Sequence, residues 1–253
     1  MNRARVIPIL LLQNGGLYKT VKFKEPKYVG DPLNAVKIFN EKQCDEIILL
    51  DILASKKNNE INYNLIQEIA TECFMPLAYG GGIRNINEIE KILKLGVEKI
   101  VINSAFIQSC DFLKVAVKEF ATSTIVASVD IKKNIWGKQL VYSHSDQKVP
   151  ISDPVEYLKF LEENGVGEIM INDVDRDGTM MGYDIDLINK LSNSVNVPVI
   201  AAGGCRDLKD IKDVYTRTNA SAIAAGSFFV FHGKHRAVLI RYPLPEEINM
   251  IKK

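Results

Sequence analysis

Gly81-Gly82-Ile83-Arg84 returns 122 residues later as Gly203-Gly204-Cys205-Arg206, and each copy stands behind a short apolar run, Met75-Pro76-Leu77-Ala78 or Val197-Pro198-Val199-Ile200. About a helix further on, each copy is followed by another apolar run ending in small polar residues, Ile102-Asn103-Ser104 and Ala225-Gly226-Ser227. At the same offset, Asp51 closes Ile47-Ile48-Leu49-Leu50 and Asp173 closes Ile169-Met170-Ile171-Asn172. A unit of about half the chain occurs twice, with its matching positions where strands end. The fold must therefore let such a unit pack beside its own copy.

Apolar runs at about 5–12, 46–51, 76–79, 99–103, 124–130, 167–172, 197–201 and 221–226 read as strands. They are continuous rather than alternating, as expected for parallel strands covered on both faces. Amphipathic stretches lie between them at about 32–43, 61–72, 86–95, 109–120, 153–164, 184–194 and 207–216. Asp31-Pro32 and Asp153-Pro154 each put a capping carboxylate before a proline at the first helical position. Eightfold strand–helix alternation predicts a single-domain (β/α)8 TIM barrel over residues 1–253, with half-barrels of about 1–122 and 123–240. Two segments break the rhythm, 13–30 around Gly15-Gly16 and 131–152 around Trp136-Gly137, and both read as hairpin insertions. Trp136 and Tyr142 are expected to pack the second of them.

The chain has 253 residues, 47% hydrophobic, and a net charge of +1, so one large core is feasible and no nucleic-acid or membrane surface is indicated. Cys44, Cys73, Cys110 and Cys205 lack a CxxC spacing and read as reduced thiols of a cytoplasmic protein. The run Val6-Ile7-Pro8-Ile9-Leu10-Leu11-Leu12 is short, interrupted by Pro8 and has no small-residue cleavage site, which argues for a first strand over a signal peptide. His144, His232 and His235 have no partners at ligand spacing, so neither a metal nor a cofactor is expected. Cys205 reads as a small filler beside Gly204.

In a barrel the carboxyl ends of the strands face one pocket. Gly80-Gly81-Gly82 and Gly203-Gly204 would free backbone N–H groups there, and Asn103-Ser104 and Gly226-Ser227 add a second set. Amide donors near helix N-termini favour anions, so two phosphate-sized sites are expected on one face, with a ligand carrying a phosphate at each end.

Asp51, Tyr79-Gly80-Gly81-Gly82-Ile83-Arg84, Val101-Ile102-Asn103-Ser104-Ala105, Val129-Asp130, and Asp175-Arg176-Asp177-Gly178-Thr179 followed by Gly182-Tyr183-Asp184 together resemble HisF, the cyclase subunit of imidazole glycerol phosphate synthase. The resemblance runs from Arg5 to about Phe231. It implies a glutamine amidotransferase pair, in which a HisH-like glutaminase releases ammonia that passes through the barrel to a phosphorylated substrate at the far mouth. It further implies acid–base catalysis by Asp130, with Lys19 on a mobile loop closing over substrate. Phosphate contacts map onto Gly81, Gly82, Asn103 and Ser104 in one half, and onto Asp177, Gly178, Gly203, Gly204, Gly226 and Ser227 in the other. Asp51 reads either as part of this site or as a structural cap. Arg5, Glu46, Lys99 and Glu168, at or near strand starts, read from spacing as a structural ion-pair ring and by resemblance as an ammonia gate.

One departure stands out. HisF proteins carry Cys-Leu-Asp-Val at the end of strand 1, whereas this chain reads Ile9-Leu10-Leu11-Leu12. Leu11 takes the place of a catalytic aspartate, and leucine can neither donate nor accept a proton. Asn172 and Asp173 likewise replace a Thr-Ser. The chain is most similar to a HisF-like branch associated with surface-polysaccharide gene sets. There a sugar amidotransferase is thought to complete conversion of an N-acetyl to an acetamidino group. Three functions remain in view: an ammonia-supplying synthase subunit for sugar amidination, a histidine-pathway cyclase that tolerates Leu11, and a barrel that only activates a glutaminase. The HisA isomerase barrel is a more distant alternative.

Overall fold

The structure is a computed structural model, and it describes residues 5–54, 60–143 and 149–251. β1 (Arg5–Gln13) turns into a hairpin of β2 (Gly16–Val21) and β3 (Lys24–Gly30). There follow α1 (Pro32–Glu41), β4 (Ile47–Asp51), α2 (Tyr63–Glu72), β5 (Leu77–Gly80), α3 (Ile86–Lys94) and β6 (Lys99–Ile102). A short α4 (Ser104–Gln108) and α5 (Cys110–Glu119) lead to β7 (Ile125–Lys133), whose extended end pairs with β8 (Gln139–Tyr142). The remainder is α6 (Pro154–Glu163), β9 (Glu168–Asp173), α7 (Ile185–Ser192), β10 (Val199–Ala202), α8 (Leu208–Arg217) and β11 (Ala222–Ala225). It ends with a short α9 (Ser227–Val230), the ribbon β12 (Phe231–His232) and β13 (Ala237–Val238), and α10 (Pro245–Asn249).

Eight parallel strands run in the order β1-β4-β5-β6-β7-β9-β10-β11, and β11 pairs back onto β1 to close the barrel. The expected (β/α)8 architecture is therefore the one observed. Closure leaves no free edge in the wall, and side chains alternate between its two sides. Along β1, Val6, Leu10 and Leu12 join the layer beneath the helices. Ile7 and Ile9 join a smaller inner cluster with Ile48, Val126, Met170 and Ile200. Ala78, Ala222 and Ala224 fill that inner cluster where bulkier strands face them. Fully burying each such Ile contributes about 2 kcal/mol.

The expected caps are present. Asp31 accepts from the Asn34 N–H at 2.9 Å, and Asp153 accepts from Val155 N–H at 2.9 Å and Glu156 N–H at 3.2 Å. Trp136 departs from expectation: it is 84% exposed at the β7–β8 tip. The Asn134 side chain accepts from the N–H groups of Trp136 and Lys138 and holds that turn without any surface against which the indole can pack. Tyr142 instead lies under the Lys132 ammonium, 4.9 Å from its ring centre.

Candidate functional site

Where the barrel strands end, a cavity of about 210 Å³ opens inside the ring of loops. Leu11, Lys19, Asp51, Gly81, Gly82, Asn103, Ser104, Asp130, Asp177, Gly178, Gly203, Gly204, Gly226 and Ser227 all line it. The two glycine turns require glycine. Gly81 and Gly203 have φ of +113° and +94°, and a Cβ on either would strike backbone of Asp51 or Asp173. The duplicated aspartates are thus the floor on which the duplicated glycines lie. Asp51 itself accepts from the N–H groups of Leu53 at 2.9 Å and Ala54 at 3.0 Å, which is the structural reading, while also lining the cavity.

The long barrel helices α1, α2, α3, α5, α6, α7 and α8 each carry an Asp, Asn or Ser whose side chain caps the first turn. The short helices α4 and α9 do not: Asn103 and Gly226 precede them with no side-chain cap. First-turn N–H groups left without a capping side chain are anion donors, and these two helices are the ones that begin at the cavity wall, at Ser104 and Ser227.

Asp130 sits 5% exposed on β7. Its carboxylate accepts from Asn103 Nδ2 at 2.7 Å and from Asn172 Nδ2 at 3.1 Å. Asn172 is its register partner across β7 and β9. Both amides must turn their NH₂ groups to the carboxylate, which fixes their orientation. Asn103 Oδ1 and Thr20 Oγ1, both on cavity-lining residues, are buried without a hydrogen-bond partner. Each such group costs about 1–3 kcal/mol until something satisfies it. Opposite this polar wall, Ile9, Leu11 and Leu50 form an apolar one.

Lys19 is not on a loop. It belongs to β2, is 4% exposed, and its ammonium donates to the Ile9 carbonyl while lying against Gly226. The reason is pairing: Tyr18 stands opposite Leu11, and Lys22 N–H donates to the Asp177 carbonyl at 2.9 Å, clasping the hairpin to the loop after β9. Burial lowers the Lys19 pKa to about 8, although the Asp177 carboxylate acts the other way.

At the opposite end, the four predicted charges meet. Arg5 reaches Glu46 at 2.9 Å and also pairs with Glu168, and Lys99 reaches both carboxylates at 3.0 Å. Burial alone would lower the Arg5 pKa, but Glu168 and Glu46 outweigh it and raise it. Cys205 is 5% exposed, and burial pushes its thiol well up, in keeping with a filler. Among the described residues no cluster of His, Cys, Asp or Glu could hold a metal, and no helix is long and apolar enough to cross a membrane. His144 lies outside the described residues.

Sequence reasoning did not find Asn172 as a partner of Asp130, nor the buried hydroxyl of Thr20. A strand-end Asn exactly one unit after Leu50 in the repeat was the available signal for the first.

A closed parallel barrel with paired glycine turns and two uncapped helices around one carboxylate defines a (β/α)8 protein built to hold an anionic ligand at its mouth. The chain belongs to the histidine biosynthesis protein family, whose model matches residues 5–236. It is 53% identical over 243 residues to a Pseudomonas aeruginosa protein provisionally named imidazole glycerol phosphate synthase subunit hisF2, covering 96% of this chain and 97% of that one. A Vibrio vulnificus protein provisionally named subunit hisF3 is 46% identical over 248 residues, 98% of this chain and 95% of its own. Imidazole glycerol phosphate synthase subunit HisF of Lactococcus lactis is 40% identical over 226 residues, 89% of this chain and 87% of its own.

Proposed function

We propose that this chain is the synthase subunit of a glutamine amidotransferase complex. It takes ammonia from a HisH-like glutaminase at the Arg5, Glu46, Lys99 and Glu168 ring and passes it through the barrel to an acceptor at the mouth. The observation that carries this reading is Leu11. It lines the cavity beside Ile9 and Leu50, so the only carboxylate on the polar wall formed with Asn103 and Asn172 is Asp130. Closing an imidazole ring moves protons on both sides of the forming ring and needs two groups with different roles. Losing one costs about 10²–10⁴-fold, or about 3–6 kcal/mol of barrier.

The acceptor we propose is an N-acetyl sugar in surface-polysaccharide synthesis, presented by a sugar amidotransferase. If that protein activates the amide oxygen with ATP, ammonia attacks the activated carbon. Asp130 takes the proton released, and the activated oxygen leaves. The apolar wall suits the acetyl methyl, and the uncapped starts of α4 and α9 suit the phosphates of a nucleotide-sugar diphosphate. The same placement of glycine turn and short helix after β5–β6 and after β10–β11 supports reading the barrel as two half-barrels, about 1–122 and 123–240.

A second reading, a histidine-pathway cyclase using a bisphosphate substrate, is favoured by the names of the relatives. The test supplies purified protein with the histidine-pathway bisphosphate and a high concentration of ammonium salt, and follows loss of the substrate chromophore. No turnover in the native chain, with activity gained by Leu11→Asp, supports the proposal. Turnover within about tenfold of an ordinary cyclase sinks it and restores the histidine-pathway reading.

A further inference from the structure

The loop between α2 and β5, on the face where the strands begin, presents Phe74 at 85% exposure. A side chain of this type is ordinarily a major source of burial. Here it is held out deliberately by its surroundings. Its N–H donates to Asn40 Oδ1 at 3.1 Å, and Asn40 Nδ2 donates to the Glu72 carbonyl at 2.5 Å, so one α1 side chain grips the backbone on both sides of Cys73. Met75, the next residue, is turned inward with its sulfur 3.1 Å from Cys44 Sγ, and the Pro76 carbonyl accepts from Ile47 N–H at 2.9 Å. The segment is therefore fixed to α1 and β4 before anything touches Phe74. A rigid exposed aromatic is what an interface hot spot looks like in the free protein, because little ordering remains to be done on binding.

Its position narrows the occupant. Pro76 leads directly into β5, which lies between β4 and β6. Glu46, next to the first residue of β4, and Lys99, the first of β6, form their ion pair across that strand. Phe74 thus stands beside the charge ring, at the end of the barrel away from the ligand cavity. The nearest exposed charges, Lys37 and Glu72, pair with each other at 3.7 Å and leave the surroundings of the ring electrically balanced. Whatever covers the ring must also cover Phe74, and all the relatives compared are named as subunits.

We infer that Phe74 is the anchor by which the glutaminase subunit docks, and that this subunit offers an apolar socket with a neutral rim rather than a charged patch. The inference rests on the assembly proposed above and adds the residue that selects the partner. A glutaminase whose matching surface is polar would leave Phe74 in a wet or unpaired contact and be rejected.

The test is the dissociation constant of the full chain for the organism's HisH-type glutaminase, by sedimentation velocity and calorimetry. Thermal melts of each variant verify that it is folded. Phe74→Ala is expected to weaken binding ~30-fold or more, the loss typical of a hot spot. Phe74→Asp should abolish binding, and Ile135→Asp, at the exposed tip of β7–β8, should leave it unchanged. If Phe74→Asp binds like the native chain, the anchor is overturned while the assembly stands. If the native chain itself does not bind the glutaminase, the assembly falls and the anchor with it.

Discussion

Replacing Lys99 by Met is the sharpest probe of the charge ring. Lys99 Nζ lies 3.0 Å from both Glu46 oxygens and 3.0 Å from Glu168 Oε2, and those carboxylate side chains are only 4% and 7% exposed. Met keeps most of the stem's volume and removes the charge. Two buried carboxylates must then share Arg5, whose side chain is 34% exposed and already bonded to both. Breaking a buried ion pair by deleting one partner costs about 3–5 kcal/mol. The surviving Arg5 and its access to water place the expectation at the lower end, about 3 kcal/mol. For a domain of this size that corresponds to a fall in Tm of roughly 6–12 °C. Urea denaturation gives the free energy and calorimetry the midpoint. The double variant Lys99→Met/Glu46→Gln should recover part of the loss, because it removes one of the two stranded charges. Raising salt from 0.1 to 0.5 M should change the single-variant penalty little, since buried pairs are weakly screened. A single-variant cost below about 1 kcal/mol would refute the reasoning: the ring would then behave as an exposed surface network.

Three further outcomes are expected. With the folded Lys19 pKa at about 8, below its ordinary 10.5, the unfolded chain binds more protons between those values. The cost of burying this ammonium is therefore full below about pH 8 and is relieved as pH rises toward 10.5, so Lys19→Met should stabilise the free protein at pH 7 and lose that advantage by pH 10, as denaturant midpoints at both pH values would show. Gly81→Ala puts a methyl against the Asp51 backbone at φ +113°, and should destabilise by about 2–3 kcal/mol or more and weaken inorganic phosphate binding in 31P NMR titration. Ser104→Ala and Ser227→Ala, which leave the backbone donors of α4 and α9 in place, should each weaken phosphate only about three- to tenfold; total loss from either would show that the hydroxyls, rather than the helix starts, hold the anion.

The barrel was legible because its signals are local. Continuous apolar runs, Asp-Pro helix starts and the glycine turns repeated at 122 residues each report on a few neighbouring positions, and the observed strands fall within a residue or two of the expected ones, apart from the extension of β7. Leu11 was equally legible, since an aspartate's absence needs no coordinates. The register of closure decided the rest. Asp130 meets Asn103 from β6 and Asn172 from β9 only because three strands end at one height. Lys19 points inward because the hairpin pairs with β1 and is clasped by Asp177, which loop composition does not reveal. Trp136 stays outside because nothing folds over its turn, although its residue type predicts burial. Sequence determines which segments form strands and where backbone must bend; which side chains then share a pocket is a long-range consequence of how those strands close.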